Sequence, residues 1–289
     1  MKIKEALMIL LVVSVLIILS GAGGCLGNGG IAGIGGKTEA AKYGVDFTFE
    51  KGIDRLSAEK ELQLGQTFFV DIILENYDSD PKTGEICIRD DISDNYGGIP
   101  TQCRQFIIPG AVYVGNKVET IGSTRLAFPE SGDYSYYDLP KSIQATLYAS
   151  IKYKQRSVLS GVIKAPNPET ETITLESLPQ PLVITAEKSV SSRDNNVKAS
   201  IRFNLASQGR YNITSPDFKS SIIYFSPNLG GYVLDCSTLQ QTIDFRNTKF
   251  ISCSALLPSE QTSHPLLVTL DYGVGLDKQF SFRINKEEK

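Results

Sequence analysis

The sequence predicts an all-β protein made of two tandem antiparallel β-sandwiches. Three observations carry that expectation. Thirteen Tyr, thirteen Phe and many Ile, Val and Thr suit pleated, half-buried surfaces, and Gly and Pro punctuate the chain at short intervals. Apolar residues also alternate with polar ones at period 2, and beyond position 40 no window carries a convincing helical period. Finally, the chain repeats itself. Phe47-Thr48-Phe49-Glu50-Lys51 precedes an apolar run at Thr67–Leu74, and Val183-Ile184-Thr185-Ala186-Glu187-Lys188 precedes one at Val197–Leu205.

Each copy then carries a cysteine pair and ends in an expected hairpin. In the first, Ile143, Ala145, Leu147, Ala149, Ile151 and Tyr153 alternate, Lys154-Gln155-Arg156 supplies a turn, and Ser157–Lys164 returns. In the second, Leu266, Val268, Leu270 and Tyr272 alternate, Gly273-Val274-Gly275 turns, and Phe280, Phe282 and Ile284 return. Alternation of this kind puts one face on a core and the other in water, so a second sheet must cover the apolar face. The expected boundaries are a first sandwich over 42–166, a linker over 167–179 and a second sandwich over 180–286. Pro166-Asn167-Pro168 and Pro179-Gln180-Pro181 bracket the linker, within which Thr172–Leu175 suits a short strand.

Residues 1–24 read as an export segment. Lys2 and Lys4 precede an apolar run from Ala6 to Leu19, and small residues lead to Cys25. Ser20-Gly21-Ala22-Gly23-Gly24-Cys25 resembles the lipobox of prokaryotic lipoproteins, with Ala22 where Leu is usual. That resemblance implies a lipid on Cys25, which becomes the mature N-terminus. An uncleaved anchor helix and simple secretion are the alternatives; a bilayer span needs about 20 apolar residues. Residues 25–41 form a Gly-rich tether. Gly33-Ile34-Gly35-Gly36-Lys37-Thr38 within it ends like a phosphate-binding loop, but Ile31 stands where that motif needs Gly. The expected location is therefore extracytoplasmic, tethered to the outer face of the cell membrane.

Cys87, Cys103, Cys236 and Cys253 remain, an even number in an oxidising setting, and read as two disulfides. Three connectivities are open. Pairing neighbours in sequence closes two short loops, each worth about 3 kcal/mol in the chain-entropy model. A zinc site is the rival, but there is no CxxC pair and His264 is the sole histidine.

Leu62-Gln63-Leu64-Gly65-Gln66-Thr67-Phe68-Phe69-Val70-Asp71-Ile72-Ile73-Leu74-Glu75-Asn76-Tyr77-Asp78 joins a Gly turn to an alternating strand with an Asn-containing end. It resembles the second strand of immunoglobulin-like modules of the CARDB and adhesion type in prokaryotic surface proteins. With its lipobox-like start, the chain is similar to archaeal surface lipoproteins. The resemblance implies a fold and a place, and no activity. The antibody variety differs: there is no Trp, and the cysteines are too close to bridge two sheets. They are expected to tie neighbouring strands, or a strand to its loop.

Counted from second cysteine to final hairpin, the first copy is longer, which reads as an insertion at 109–140. It carries Tyr113, Tyr134, Tyr136 and Tyr137 among Gly and Ser, the vocabulary of binding loops, and these tyrosines are the candidate partner contact. The competing reading makes them a cover for the sandwich edge. Asp90, Asp91 and Asp94 are a weak calcium candidate; the same residues are ordinary turn formers. Asn212-Ile213-Thr214 is a glycosylation sequon, with Asn212 as the acceptor.

With 29 basic against 32 acidic side chains and no basic cluster, nucleic acid is not an expected partner. His264 has no nucleophile motif to serve and reads as a structural loop residue. No enzymatic activity and no cofactor are expected. The expected function is a non-enzymatic, membrane-tethered interaction or adhesion module that presents the Tyr-rich insertion to a protein or glycan. A structural subunit of a surface layer, self-associating laterally, is the alternative.

Overall fold

The computed structural model describes residues 43–286, apart from 53–54, 59, 116, 165–170, 177–179, 194–195, 238–240 and 259–262. The export segment, the tether and Cys25 lie outside the described residues. Residues 41–289 form one compact unit. It is nearly all β, in sheets whose named strands pair antiparallel except β2 with β18, and it has one four-residue helix, α1 (Ser93–Tyr96), among the described residues. No helix among them is long and apolar enough to cross a membrane.

Three sheets build the core. A three-stranded sheet has the order β1 (Val45–Phe49), β3 (Val70–Asn76), β8 (Gly122–Phe128). A five-stranded sheet runs β10 (Glu171–Ile173), β11 (Leu182–Arg193), β12 (Asn196–Ser207), β17 (Phe250–Pro258), β15 (Asp235–Cys236). The third, eight-stranded, has the main path β16 (Thr242–Asp244), β14 (Ile222–Leu229), β18 (Ser263–Asn285), β9 (Ile143–Lys164), β4 (Lys82–Asp90), β5 (Gln102–Ile108). Two short strands, β2 (Glu61–Gln63) and β13 (Asn212–Thr214), add to β18. A separate hairpin is formed by β6 (Val112–Val114) and β7 (Lys117–Thr120). Phe49 of β1 meets Phe280 of β18 edge-on at 4.7 Å, and Phe203 of β12 meets Phe225 of β14 at 5.2 Å, so the smaller sheets pack on the large one.

Neither expected terminal hairpin exists. β9 is one strand of 22 residues and β18 one of 23, and they pair with each other from Ile143↔Ile284 to Ser263↔Lys164. The period never breaks where turns were expected. Gln155 and Ser157 continue the buried face of β9 beyond Tyr153, and Val274 and Leu276 continue that of β18 beyond Tyr272. Gly273 lies in the strand because β13 passes close: a Cβ there would sit 2.4 Å from the Ser215 carbonyl oxygen.

The two halves share an order. β1-β3-β8 recurs as β11-β12-β17, and β5-β4-β9 recurs as β16-β14-β18. The first half of β9 completes the first sandwich and its second half continues into the other; β18 does the reverse. The sandwiches are thus joined by a reciprocally shared two-stranded ribbon.

This order corrects the expected insertion at 109–140. β8 lies inside that stretch, pairs with β3 over seven residues and matches β17. The apparent excess came from treating the cysteine pairs as equivalent, which they are not. Cys87–Cys103 joins β4 to β5 in the shared sheet, whereas Cys236–Cys253 joins β15 to β17 in the five-stranded one.

Two tyrosines mark the join. The Val45 amide, opening β1, donates to Tyr153 Oη at 3.0 Å. Tyr272 plays the same part in the second half, where its hydroxyl is bonded by the Leu182 backbone that opens β11 and lies 2.9 Å from Ser157 Oγ. Both rings are fully buried. The open flanks are closed differently. In the second sandwich the linker strand does it: β10 pairs with β11, and Glu176 exchanges two backbone hydrogen bonds with Ser160. Gly161 leaves room there; a Cβ on it would come within 3.2 Å of Thr174, Leu175 and Ile173. In the first sandwich Phe280 and Phe49 fill the matching flank with their own rings.

Candidate functional site

Three of the four candidate contact tyrosines are not surface groups. Tyr134 and Tyr136 point into the first sandwich, and Tyr136 stacks on Phe68 at 5.4 Å. The Tyr134 hydroxyl donates to Gln102 Oε1 at 2.6 Å, and that of Tyr136 to Asp90 Oδ2 at 2.6 Å. Burial, with the Asp90 carboxylate nearby, pushes both phenols well above the usual range. Tyr113 is half-buried and donates to the Tyr77 carbonyl, which fastens the β6–β7 hairpin to the sandwich. Tyr137 alone is well exposed, at 55 %. The segment covers a sandwich edge, as the competing reading had it, because Tyr134 and Tyr136 sit two apart on one face of a chain bridged to Phe68 and Gly97.

Asp90 is equally committed. Buried at the end of β4, it accepts the amides of Ile92 and Ser93 on one oxygen, and the Ile99 amide and Tyr136 hydroxyl on the other. Asp91 accepts the Thr146 amide at 2.9 Å, and Asp94 sits in the first turn of α1. A cation would have to displace four donors from Asp90 to use its carboxylate. The calcium reading does not fit: the trio organises a turn.

Both cysteine pairs form disulfides between directly opposed residues of neighbouring strands, with Cα atoms 4.0 Å apart at Cys87–Cys103 and 3.9 Å at Cys236–Cys253. Each staples an edge strand, β5 or β15, to its inner neighbour. Glu85 lies close to the first pair, but its sulfur atoms are spent on each other and give no metal ligand. Asn212 is exposed on β13 and donates to Asp277 at 3.2 Å, so the sequon is at the surface. His264 is a buried residue of β18, edge-on to Tyr232 at 5.6 Å, and not a loop residue.

Two surface features remain, and residue-by-residue reading missed both. On the outer face of the shared sheet in the second sandwich, register aligns Tyr224 with Asp271 and Arg156, Thr269 with Val158, Leu267 with Ser160, and Pro265 with Val162. Tyr224, Val158, Leu267 and Val162 are all exposed there, an apolar row on a rigid sheet interrupted by the Arg156–Asp271 ion pair at 2.9 Å. The signal was present as apolar residues at the outward parity of β9 and β18. In the first sandwich the same face forms a shallow concavity of about 660 Å³, lined by Arg89, Thr101, Tyr148, Asp277 and Gln279 among others. The Arg89 guanidinium covers the Tyr148 ring at 4.7 Å, and Asp277 is the single carboxylate of that lining.

No protein-family model matches the chain, and no curated protein sequence matches it.

Proposed function

We propose that this protein is a non-enzymatic, membrane-tethered surface module that binds another protein through the outer sheet face around Tyr224, Leu267 and Val158. The observation that carries the reading is the exposed apolar row of β14, β18 and β9. Both long strands are paired into both sandwiches, so the face is presented without a cost in ordering. Aliphatic side chains offer area and no hydrogen bonds, which suits a protein surface and not a glycan. Two disulfides on edge strands fit an oxidising, extracytoplasmic setting. Export and tethering rest on the apolar run Ala6–Leu19 and Cys25.

The test is cross-linking of intact cells, with mass spectrometry to identify the joined residues. Links from β9, β14 and β18 to a different surface protein support the reading. They should be lost in a Val158→Asp, Leu267→Asp double variant that keeps the wild-type melting temperature. Links predominantly between copies of this chain would make it a structural subunit instead.

A further inference from the structure

We infer that the concavity on the outer face of the shared sheet in the first sandwich is a saccharide site, whose ligand is a stretch of glycan chain bearing uronic-acid carboxylates. It is separate from the apolar row of the second sandwich and does not depend on it. Register builds the site as two rows across three strands. Arg89 lies opposite Tyr148 and Tyr148 opposite Gln279; in the next row Ser150 lies between Cys87 and Asp277. The strands that carry them, β4, β9 and β18, are all inner members of the eight-stranded sheet, so these positions are fixed before a ligand arrives. Their polar groups are unspent. Arg89, Tyr148 and Gln279 make no hydrogen bond or ion pair among the described residues, and neither do the hydroxyls of Ser150 and Thr101. The flanking rows are spent within the protein: Gln105 donates to Glu85 at 3.0 Å, Asp91 accepts the Thr146 amide at 2.9 Å, and the Thr146 hydroxyl lies 3.5 Å from Ser281 Oγ.

What the rows offer selects the ligand. An amide, a phenol and two aliphatic hydroxyls both donate and accept, which matches sugar hydroxyls. Arg89, laid on the Tyr148 ring with no carboxylate of its own, presents a guanidinium fork that takes a carboxylate through two parallel hydrogen bonds. Asp277, held by the Asn212 side chain at 3.2 Å, accepts from hydroxyls and opposes a densely charged polyanion. A protein partner finds no anchor, because the aliphatic residues of the lining, Ile88 and Ala149, are buried. The concavity is shallow, so it covers one side of a passing chain and does not enclose a free monosaccharide.

Full-length protein, in a polyoxyethylene detergent that carries no sugar headgroup, is titrated calorimetrically with tetragalacturonate, tetramannuronate, maltotetraose and tetraphosphate. The expected result is binding of at least one uronate tetramer, weakening as salt is raised, with no binding of maltotetraose or tetraphosphate. Arg89→Gln should weaken the uronate by about tenfold at an unchanged melting temperature. Lys198→Gln, which removes an exposed charge from the outer face of β12, should leave binding as in the wild type. Tetraphosphate binding as tight as the uronate would mark a general anion surface and overturn the saccharide site. Maltotetraose binding as tightly, with Arg89→Gln harmless, overturns carboxylate recognition. Failure of both uronates to bind at millimolar concentration overturns the inference outright.

Discussion

Lys278 Nζ lies 2.7 Å from Asp46 Oδ1, tying the continuation of β18 to the first strand of the first sandwich. Asp46 is buried, and its other oxygen is 3.2 Å from Arg210, a residue of the second sandwich. Removing Lys278 would leave the buried Asp46 carboxylate with Arg210 and the Phe47 amide, so the cost is a part of that for a fully orphaned buried charge. Lys278→Met should destabilise the fold by about 1–2 kcal/mol in urea unfolding, less than for a buried charge left with no partner. Adding Asp46→Asn should recover part of the loss; a double variant that is additively worse would show that the two residues act independently.

The shared ribbon predicts cooperative unfolding. Two beads on a string would melt separately, yet here β9 and β18 each complete both sandwiches. Calorimetry should give one transition, with equal calorimetric and van't Hoff enthalpies. Tyr272→Phe, which removes the hydroxyl bonded to Leu182 and Ser157, should lower that single transition by about 1–3 kcal/mol and not split it.

Calcium should be without effect on the melting temperature, because four donors already occupy the Asp90 carboxylate. Asp90→Ala should cost about 2–3 kcal/mol equally in calcium and in chelator. A stabilisation by calcium that this variant abolishes would restore the metal reading.

Acid should weaken the first sandwich through Asp71. This buried carboxylate is bonded by Arg125 and lies 3.2 Å from Arg55, and the Arg125 hydrogen bond above all holds its pKa below 3.8. A depressed carboxylate contributes stability that is complete above the unfolded-state value, about 3.9, and is lost as pH falls through the lower folded-state value. Stability measured from pH 5 down to pH 2 should therefore fall less steeply in Asp71→Asn than in the wild type. Parallel curves would show that the charge contributes nothing.

Parity was legible in the sequence and topology was not. Ile143 to Tyr153 and Leu266 to Tyr272 are strands as their alternation predicts, but Lys154-Gln155-Arg156 resembles a turn only in composition. Gln155 keeps the inward parity and meets Asp78 at 2.6 Å, a long-range partner that no local pattern reveals. The matched stretches ending Glu50-Lys51 and Glu187-Lys188 were the sounder repeat signal. The near-equal cysteine spacings misled, because identical spacing can arise on different sheets. Composition makes Tyr134 and Tyr136 look like loop residues, whereas their two-residue spacing puts both on one buried face. The outward Val158 and Leu267 look like ordinary strand residues until exposure is known.

The reciprocal ribbon also sets a timetable for folding. Much of the first sandwich is encoded early, yet part of its large sheet consists of residues 276–285, the last strand segment among the described residues. Pairings so distant in sequence form slowly, and this one cannot form until residues 276–285 have emerged. Vectorial synthesis or export would hold the first sandwich with its β9 edge bare, exposed to misannealing with another copy until β18 arrives. Native structure is then conferred on both halves in the same closing event.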